Sequence, residues 1–286
     1  VVMQGSAVIN GNLFSNGPIT GAGNLITGGA ISAGKTTGGT GSITNIHSDG
    51  SMYANDIVNS IIGGTPYCVN ISGSSPNTCD ALPAQTPGTM PITQEQITQW
   101  EADAAAGGTI VCGSTNYTIT GAMNLGPVKI VGTGGSACNL VMNSNADVTL
   151  LGPIWVVGNI TLKSSASSGS AKMTISPTLY GKSVVIIADN PADRLNSSTI
   201  TIERNVAFNG SGPSSYIELL GQNDGASRTP PQLTEAIEVE GSVSGELLVY
   251  ASLGDIIIKD QAALRQVTGY KITVKDSAVI SYATGL

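Results

Sequence analysis

Residues 13–31 read LFSNGPITGAGNLITGGAI, and their rhythm decides the fold. Leu13, Ile19, Leu25 and Ile31 stand six apart, and Gly17, Gly23 and Gly29 each follow one of the first three by four residues. The phase returns with Ile46, Gly50, Met52 and Val58. Six residues are too few for an independent fold. They suit one short strand and one glycine turn, with one apolar side chain pointing inward per side. Three such sides make a coil of about 18 residues, the triangular cross-section of a β-solenoid. Glycine recurs because a corner needs a residue free to take φ > 0 or a tight bend.

Composition supports an all-β chain. Glycine is 37 of 286 residues, close to twice the usual share of about 7%. Charged residues are 11% of the chain, where about 25% is ordinary. With 41% hydrophobic residues the chain is too apolar for disorder, and it lacks the strict glycine period of collagen. No run of apolar residues is long enough for a membrane span. The net charge of −7 argues against a phosphate-binding surface. Residues 1–73 carry Lys35, Asp49 and Asp56 as their only charges, so their exposed face falls to Ser, Thr, Asn and Gly. A start at Val1 reads as a processed or truncated piece whose targeting segment lay upstream.

Three segments follow. Residues 1–73 form a Gly-rich β-solenoid, and residues 74–107 a Pro-rich linker plus a short helix. Residues 108–286 form the main β-solenoid. Pro76, Pro83, Pro87 and Pro91 mark the linker. Thr93 with Gln96 three residues on makes a capping box, and Gly107 is the stop. Ile97, Trp100 and Ala104 share one helical face, which predicts packing across a solenoid end or flank and cover for exposed strand edges. From Thr109 onward short strands recur without helical patterns between them, among them Val128–Val131, Leu140–Met142, Val148–Leu151, Met173–Ile175, Ile200–Ile202, Ile237–Val239 and Tyr270–Val274. At roughly 20 residues per coil, eight or nine coils would stack to about 40 Å. The run Val184-Val185-Ile186-Ile187 predicts burial on both faces, under a loop. Residues 221–235, with Pro230 and Pro231, predict a loop bulging from a coil. The fold expected is therefore a parallel β-helix with one short capping helix.

The four cysteines fall as two local pairs, Cys68 with Cys79 and Cys112 with Cys138. An even count in such a chain favours two disulfides, and neither spacing suits zinc. No metal site, cofactor or catalytic residue is assigned. His47, the only imidazole, reads as a turn histidine at a strand end. Glu238 and Glu240 flank Val239, which places two carboxylates on one face roughly 7 Å apart. That separation would serve an inverting glycosidase, but the simpler reading has Ile237 and Val239 facing inward and the glutamates facing water. Lys271, Thr273 and Lys275 alternate in the same way and predict cross-coil ion pairs.

Gly34-Lys35-Thr36 falls in the solenoid rhythm and not ahead of a helix, so a nucleotide is not expected. The run Gly38-Gly39-Thr40-Gly41-Ser42-Ile43 lacks the Asp of a calcium-binding nonapeptide. Asn70, Asn116, Asn159 and Asn196 open glycosylation sequons. The motif segments by which pectin hydrolases resemble one another are missing: no two acidic residues are adjacent, and Asn77-Thr78 is followed by Cys79.

Residues 8–21, VINGNLFSNGPITG, resemble the shaft repeats of bacterial surface solenoids carried by PilX-like pilus assembly proteins. Residues 91–108, PITQEQITQWEADAAAGG, with LGPVKI at 125–130 and VTGYKI at 267–272, are similar to the same group. The resemblance implies a minor pilin of a type IV pilus-like system. Its β-solenoid would be displayed at the bacterial cell surface or outside the cell, and an N-terminal apolar helix, missing here, would provide the only membrane contact. The implied partners are other pilins or surface proteins, with glycans as a further class, and the implied role is non-enzymatic display or adhesion. Bactofilin-like polymers share the hexad texture of residues 8–62 but not the disulfides or the capped helix. The alternatives are a carbohydrate-active β-helix enzyme, with Glu238 and Glu240 as its candidates, and a DNA-uptake receptor module. The latter would need a basic stripe, so nucleic acid is disfavoured.

Overall fold

The computed structural model describes residues 1–34, 40–163, 171–232 and 234–281. Lys35 and Thr36 of the Gly-Lys-Thr tripeptide, and Gly38 and Gly39 of the glycine run, lie outside the described residues. The chain is an all-β parallel solenoid with one α-helix among the described residues. It divides into two compact units, Val1–Met90 with Thr273–Tyr282, and Pro91–Ile272. The stretch read as a linker with a helix is thus shared: residues 74–90 belong to the first unit, and the helix to the second.

In the first unit every coil contributes to three parallel ladders. One joins Leu13–Ser15, Ala30–Ser32, Met52–Tyr53, Pro66–Cys68 and Asp80–Ala81. Leu13 lies opposite Ala30, Ala30 opposite Met52, and Met52 opposite Pro66, so successive coils advance 17, 22 and 14 residues. The expected 18 is near the first of these only. Consequently the inward set differs from the hexad. Ile19 is fully buried, but Leu13, Leu25 and Ile31 are half-buried, while Ile26, Ala30 and Ser32 point into the core. Within the strand Ile19–Ile26 the register against Ser42–Ser48 is interrupted between Thr20 and Asn24, and the buried positions pass from Ile19 to Asn24 and Ile26, so the inward alternation changes parity there.

The corner glycines stack. The N–H of Gly28 donates to Gly11 O (2.9 Å), that of Gly50 to Gly28 O (3.0 Å) and that of Gly64 to Gly50 O (3.2 Å). A Cβ at Gly28 would collide with the Gly11 carbonyl, and one at Gly50 would come within 2.7 Å of the Gly28 carbonyl carbon. Close approach of coil to coil, not positive φ, selects glycine at these two corners. The end of the chain adds to this unit: Thr273 and Val274 pair with Val2 and Met3, and Val279–Ser281 pairs with Val8–Asn10. Cys68 and Cys79 are joined, with Cα atoms 5.2 Å apart, at the edge where Asp80–Ala81 pairs with Tyr67 and Cys68.

In the second unit the three faces are continuous. On the first, Thr109–Cys112, Val128–Gly132, Ile154–Val156, Val184–Ala188, Ile217–Gly221 and the start of Leu247–Ile258 pair in order, and Gln266–Val274 pairs in turn with Leu247–Ile258. The second face stacks Leu140, Ile160, Ile200, Ile237 and Ile256 in register, all at most 1% exposed. Met142, Leu162, Ile202, Val239 and Ile258 form a parallel stack beside it. Each such side chain removes enough apolar surface to contribute about 1.5–3 kcal/mol.

The coils are fewer and longer than the eight or nine expected. The advance reaches 20 residues from Thr109 to Lys129 and 40 from Ile160 to Ile200, the longer coil carrying a loop at 189–199 between Val184–Ala188 and Ile200–Ile202. The third face includes Ala122–Leu125, Val206–Asn209 and Ser244–Gly245, strands that composition hides because they are poor in β-branched residues. Cys112 and Cys138 are bonded, with Cα atoms 6.3 Å apart. Two disulfides are the mark of a chain matured in an oxidising compartment, and no helix among the described residues is long and apolar enough to cross a membrane.

The helix α1 (Gln94–Ala106) starts on the capping box read from sequence: Thr93 Oγ1 accepts from Gln96 N, and Gln96 Oε1 accepts from Thr93 N at 2.9 Å. It packs on the solenoid flank. Ile97, 1% exposed, meets Val185, Ile187, Leu220 and Tyr250, outward residues of the first face. Val184 and Ile186 are buried in the solenoid core, and the outward Val185 and Ile187 are buried in a cluster that includes Ile97 of α1 and Ile92 of the segment entering it. Gly107 ends it in ordinary helical conformation at φ −76°, its N–H bonding Ala104 O.

Candidate functional site

The carboxylate pair singled out in the sequence is held by a lysine. Ile237 and Val239 are fully buried, so Glu238 and Glu240 face outward. Lys259 follows Ile258, the residue opposite Val239 one coil on, and its Nζ lies 2.9 Å from Glu238 Oε1 and 2.6 Å from Glu240 Oε1. Hydrogen bonding to Glu240, and then to Glu238, holds the Lys259 ammonium above its usual pKa despite some desolvation. The two glutamates and Lys259 thus form one ion network that joins two successive coils.

The same device recurs: Asp147 pairs with Lys172 at 2.8 Å, Lys163 with Glu203 at 3.5 Å, and Glu246 with Arg265 at 3.0 Å. Lys271 reaches Asp255, the cross-coil ion pair expected of it. His47 lies in the strand Ser42–Ser48, not in a turn, with Nε2 3.5 Å from Asp49 Oδ1.

The outward polar ladders are real hydrogen-bonded structures. Asn139 Nδ2 donates to Asn116 Oδ1 (3.1 Å), Asn159 N to Asn139 Oδ1 (3.0 Å) and Thr199 N to Asn159 Oδ1 (3.1 Å). Of the sequon asparagines, Asn70, Asn116 and Asn196 are exposed and Asn159 is half-buried. Asn70 donates to Asp56 and Asn196 to Asp193, and the two amide donors Asn55 and Asn70 lower the Asp56 pKa.

Beneath α1 lies a charged cluster that sequence reading missed. Asp189, fully buried, accepts two bonds from Arg194 at 2.8 and 2.7 Å. Glu101 of the helix, 8% exposed, faces the same carboxylate. Burial, then hydrogen bonding to Asp189 and its charge, push the Glu101 carboxyl up to about 8, so it is protonated at neutral pH. The one available signal was spacing. Glu101 stands four residues after Ile97 and three before Ala104, on the very face assigned to packing. Trp155 continues the cluster, its Nε1 donating to Asp189 O (2.9 Å) and its ring lying under Lys129 Nζ. Because the helix roofs this cluster, it is built to hold α1 down.

Beside it opens a cleft of about 180 Å³, whose walls include Ile92, Trp100, Glu218, Tyr250, Gln266 and Thr268. Glu218 stands on the outward row between Val185 and Leu248. Burial alone pushes its carboxyl up to about 7. The Tyr250 hydroxyl donates to Ile92 O at 2.7 Å, which ties the segment entering α1 to the solenoid face. Among the described residues no group of three or more His, Cys, Asp or Glu is placed to hold a metal ion. The chain matches no protein-family profile, no curated protein and no solved structure.

Proposed function

We propose that this chain is a non-enzymatic display module of the bacterial cell surface, a minor-pilin-like component of a type IV pilus-like system. Its mechanism is geometric. Parallel coils bond backbone to backbone along the axis, and the outward Asn and Thr ladders with their cross-coil ion pairs form a rigid polar surface. That surface suits contact with other pilins, surface proteins or glycans. The engagement of Glu238 and Glu240 by Lys259 carries this reading, because it commits the candidate acid pair to coil stacking. The two disulfides add an oxidising compartment.

Two measurements test it. Antibody raised against the folded chain is expected to label filaments or the surface of intact source cells, and label confined to the cytoplasm overturns the reading. Incubation with a polysaccharide panel is expected to release no reducing sugar. Release that disappears in Glu238→Gln would replace display with glycoside hydrolysis, and tight, salt-sensitive DNA binding would replace it with uptake.

A further inference from the structure

The cleft beside α1 has an unusual inventory of polar groups. Gln266 Nε2 bonds Thr268 Oγ1 at 3.4 Å, and the Tyr250 hydroxyl is spent on Ile92 O. The Glu218 carboxylate has no hydrogen-bond or ion-pair partner among the described residues. One free carboxylate therefore shares a small cavity with Trp100 and with apolar Ile92 and Leu248, the buried Tyr250 closing its floor.

A sugar needs several convergent polar partners for its hydroxyls, whereas here Gln266 and Thr268 bond each other and the Tyr250 hydroxyl hydrogen goes to Ile92 O, which leaves Glu218 as the lining side chain with no intramolecular partner among the described residues. The volume, about 180 Å³, also falls short of the roughly 300–1,000 Å³ of sites for drug-sized ligands. A cation with an apolar shell needs only a carboxylate for its charge and an aromatic side chain for its methyl or methylene groups, and the wall holds Glu218 and the partly exposed Trp100, with Tyr250 buried behind them. We propose that this cleft binds a small organic ammonium ion, the charge meeting Glu218 and the alkyl groups meeting Trp100.

Such a ligand would also relieve the cost of a half-buried, unpaired carboxylate, since an opposite charge favours the ionised form. Binding should therefore strengthen as pH rises through about 7, where Glu218 ionises. The other wall elements bring few titrating groups. Pro91, Ile92 and Trp100 carry none, nor do Gln266 and Thr268, and the phenol of Tyr250 is pushed up by burial.

The test uses the whole chain, labelled with nitrogen-15. It has two tryptophans, hence two indole N–H signals, which Trp155→Phe assigns. Tetramethylammonium and choline at pH 8 are expected to move the Trp100 signal saturably. At pH 5.5 the affinity should fall about tenfold or more. The neutral carbon analogue 3,3-dimethylbutan-1-ol should leave the signal in place, and Glu218→Gln should lose the cation response. The proposal is overturned if the neutral analogue binds equally, if Glu218→Gln binds like wild type, or if nothing saturates by roughly 50 mM. Saturation by glucose or cellobiose instead would also overturn it. Should Glu218→Gln fail to fold, the pH series on wild type decides, because pH-independent binding is incompatible with a carboxylate contact.

Discussion

Asp189, wholly buried, accepts both Nε and Nη2 of Arg194, at 2.8 and 2.7 Å. Arg194 comes from the loop that follows Val184–Ala188, so the pair pins that loop to the solenoid under α1. Its guanidinium is held above its usual pKa by Asp189, with Glu101 and Asp224 adding to the field. Removing one partner leaves a buried, unpaired charge, which typically costs about 3–5 kcal/mol. Arg194→Met should therefore destabilise far more than Arg228→Met, whose guanidinium pairs with Asp224 from an exposed position. Paired urea melts decide it, and equal losses would refute the assignment.

Glu101 makes the docking of α1 dependent on pH. Its folded carboxyl titrates near 8, against 4.5 ordinarily, chiefly through burial. Between those values the folded state holds a proton that the unfolded state has lost, so stability falls as pH rises through that window. Glu101→Gln should flatten this slope and be the more stable form at pH 9. Urea midpoints at pH 6 and 9 measure it, and a wild-type slope unchanged in the variant would contradict it.

The glycine corners make a graded prediction. Gly28→Ala puts a methyl on the Gly11 carbonyl, whereas Gly17→Ala meets nothing within 4 Å. Overpacking of this kind costs about 1–3 kcal/mol. Thermal melts should show a clear drop for Gly28→Ala and little change for Gly17→Ala, although both glycines belong to the same sequence texture.

That contrast shows how far the sequence could be read. The six-residue rhythm reveals short strands with tight corners, because local chain stiffness and turn chemistry repeat it. It does not reveal which apolar residue points inward. Leu25 and Ile31 are half-buried while their neighbours Ile26 and Ala30 point inward, because each corner resets which residue of the next strand faces the core. The helix start was legible because Thr93 and Gln96 act within one turn. The partner of Glu238 and Glu240 was not, since Lys259 meets them only when the register between coils is known. Glu218 and Trp100 line one cleft for the same non-local reason.

Asn24 and Asn223 do the same work in the two units, each with its side chain turned inward at a corner. Asn24 Nδ2 donates to the carbonyls of Gly5 and Ala7 at 3.0 and 3.1 Å, and its Oδ1 accepts from Ala22 N. Asn223 Nδ2 reaches the carbonyls of Arg194, Leu195 and Ser197 at 2.8–3.0 Å, and its Oδ1 accepts from Gly225 N. Alanine at either site leaves buried backbone groups unsatisfied, at about 1–3 kcal/mol each. Asp retains the acceptor but loses the donor, so Asn223→Asp should recover little of the loss. Equal stability of wild type and Asn223→Ala in urea would show that water replaces the side chain.

The disulfides close loops of unequal length, with sequence separations of 11 for Cys68–Cys79 and 26 for Cys112–Cys138. On the chain-entropy account the longer loop stabilises by roughly 0.8 kcal/mol more. Context points the same way. Cys138 is fully buried and its N–H donates to Val157 O, inside the continuous ladder of the second unit. Cys79 is half-buried, next to the last short strand Asp80–Ala81. The double replacement Cys112→Ser with Cys138→Ser should therefore lower the melting temperature more than Cys68→Ser with Cys79→Ser. The second pair should chiefly loosen residues 79–90, read as faster amide exchange there with the rest of the first unit unchanged. A larger thermal loss from the shorter loop would mean that Cys68–Cys79 clamps the coils themselves, and that the Pro-rich segment behind it is part of their folding unit.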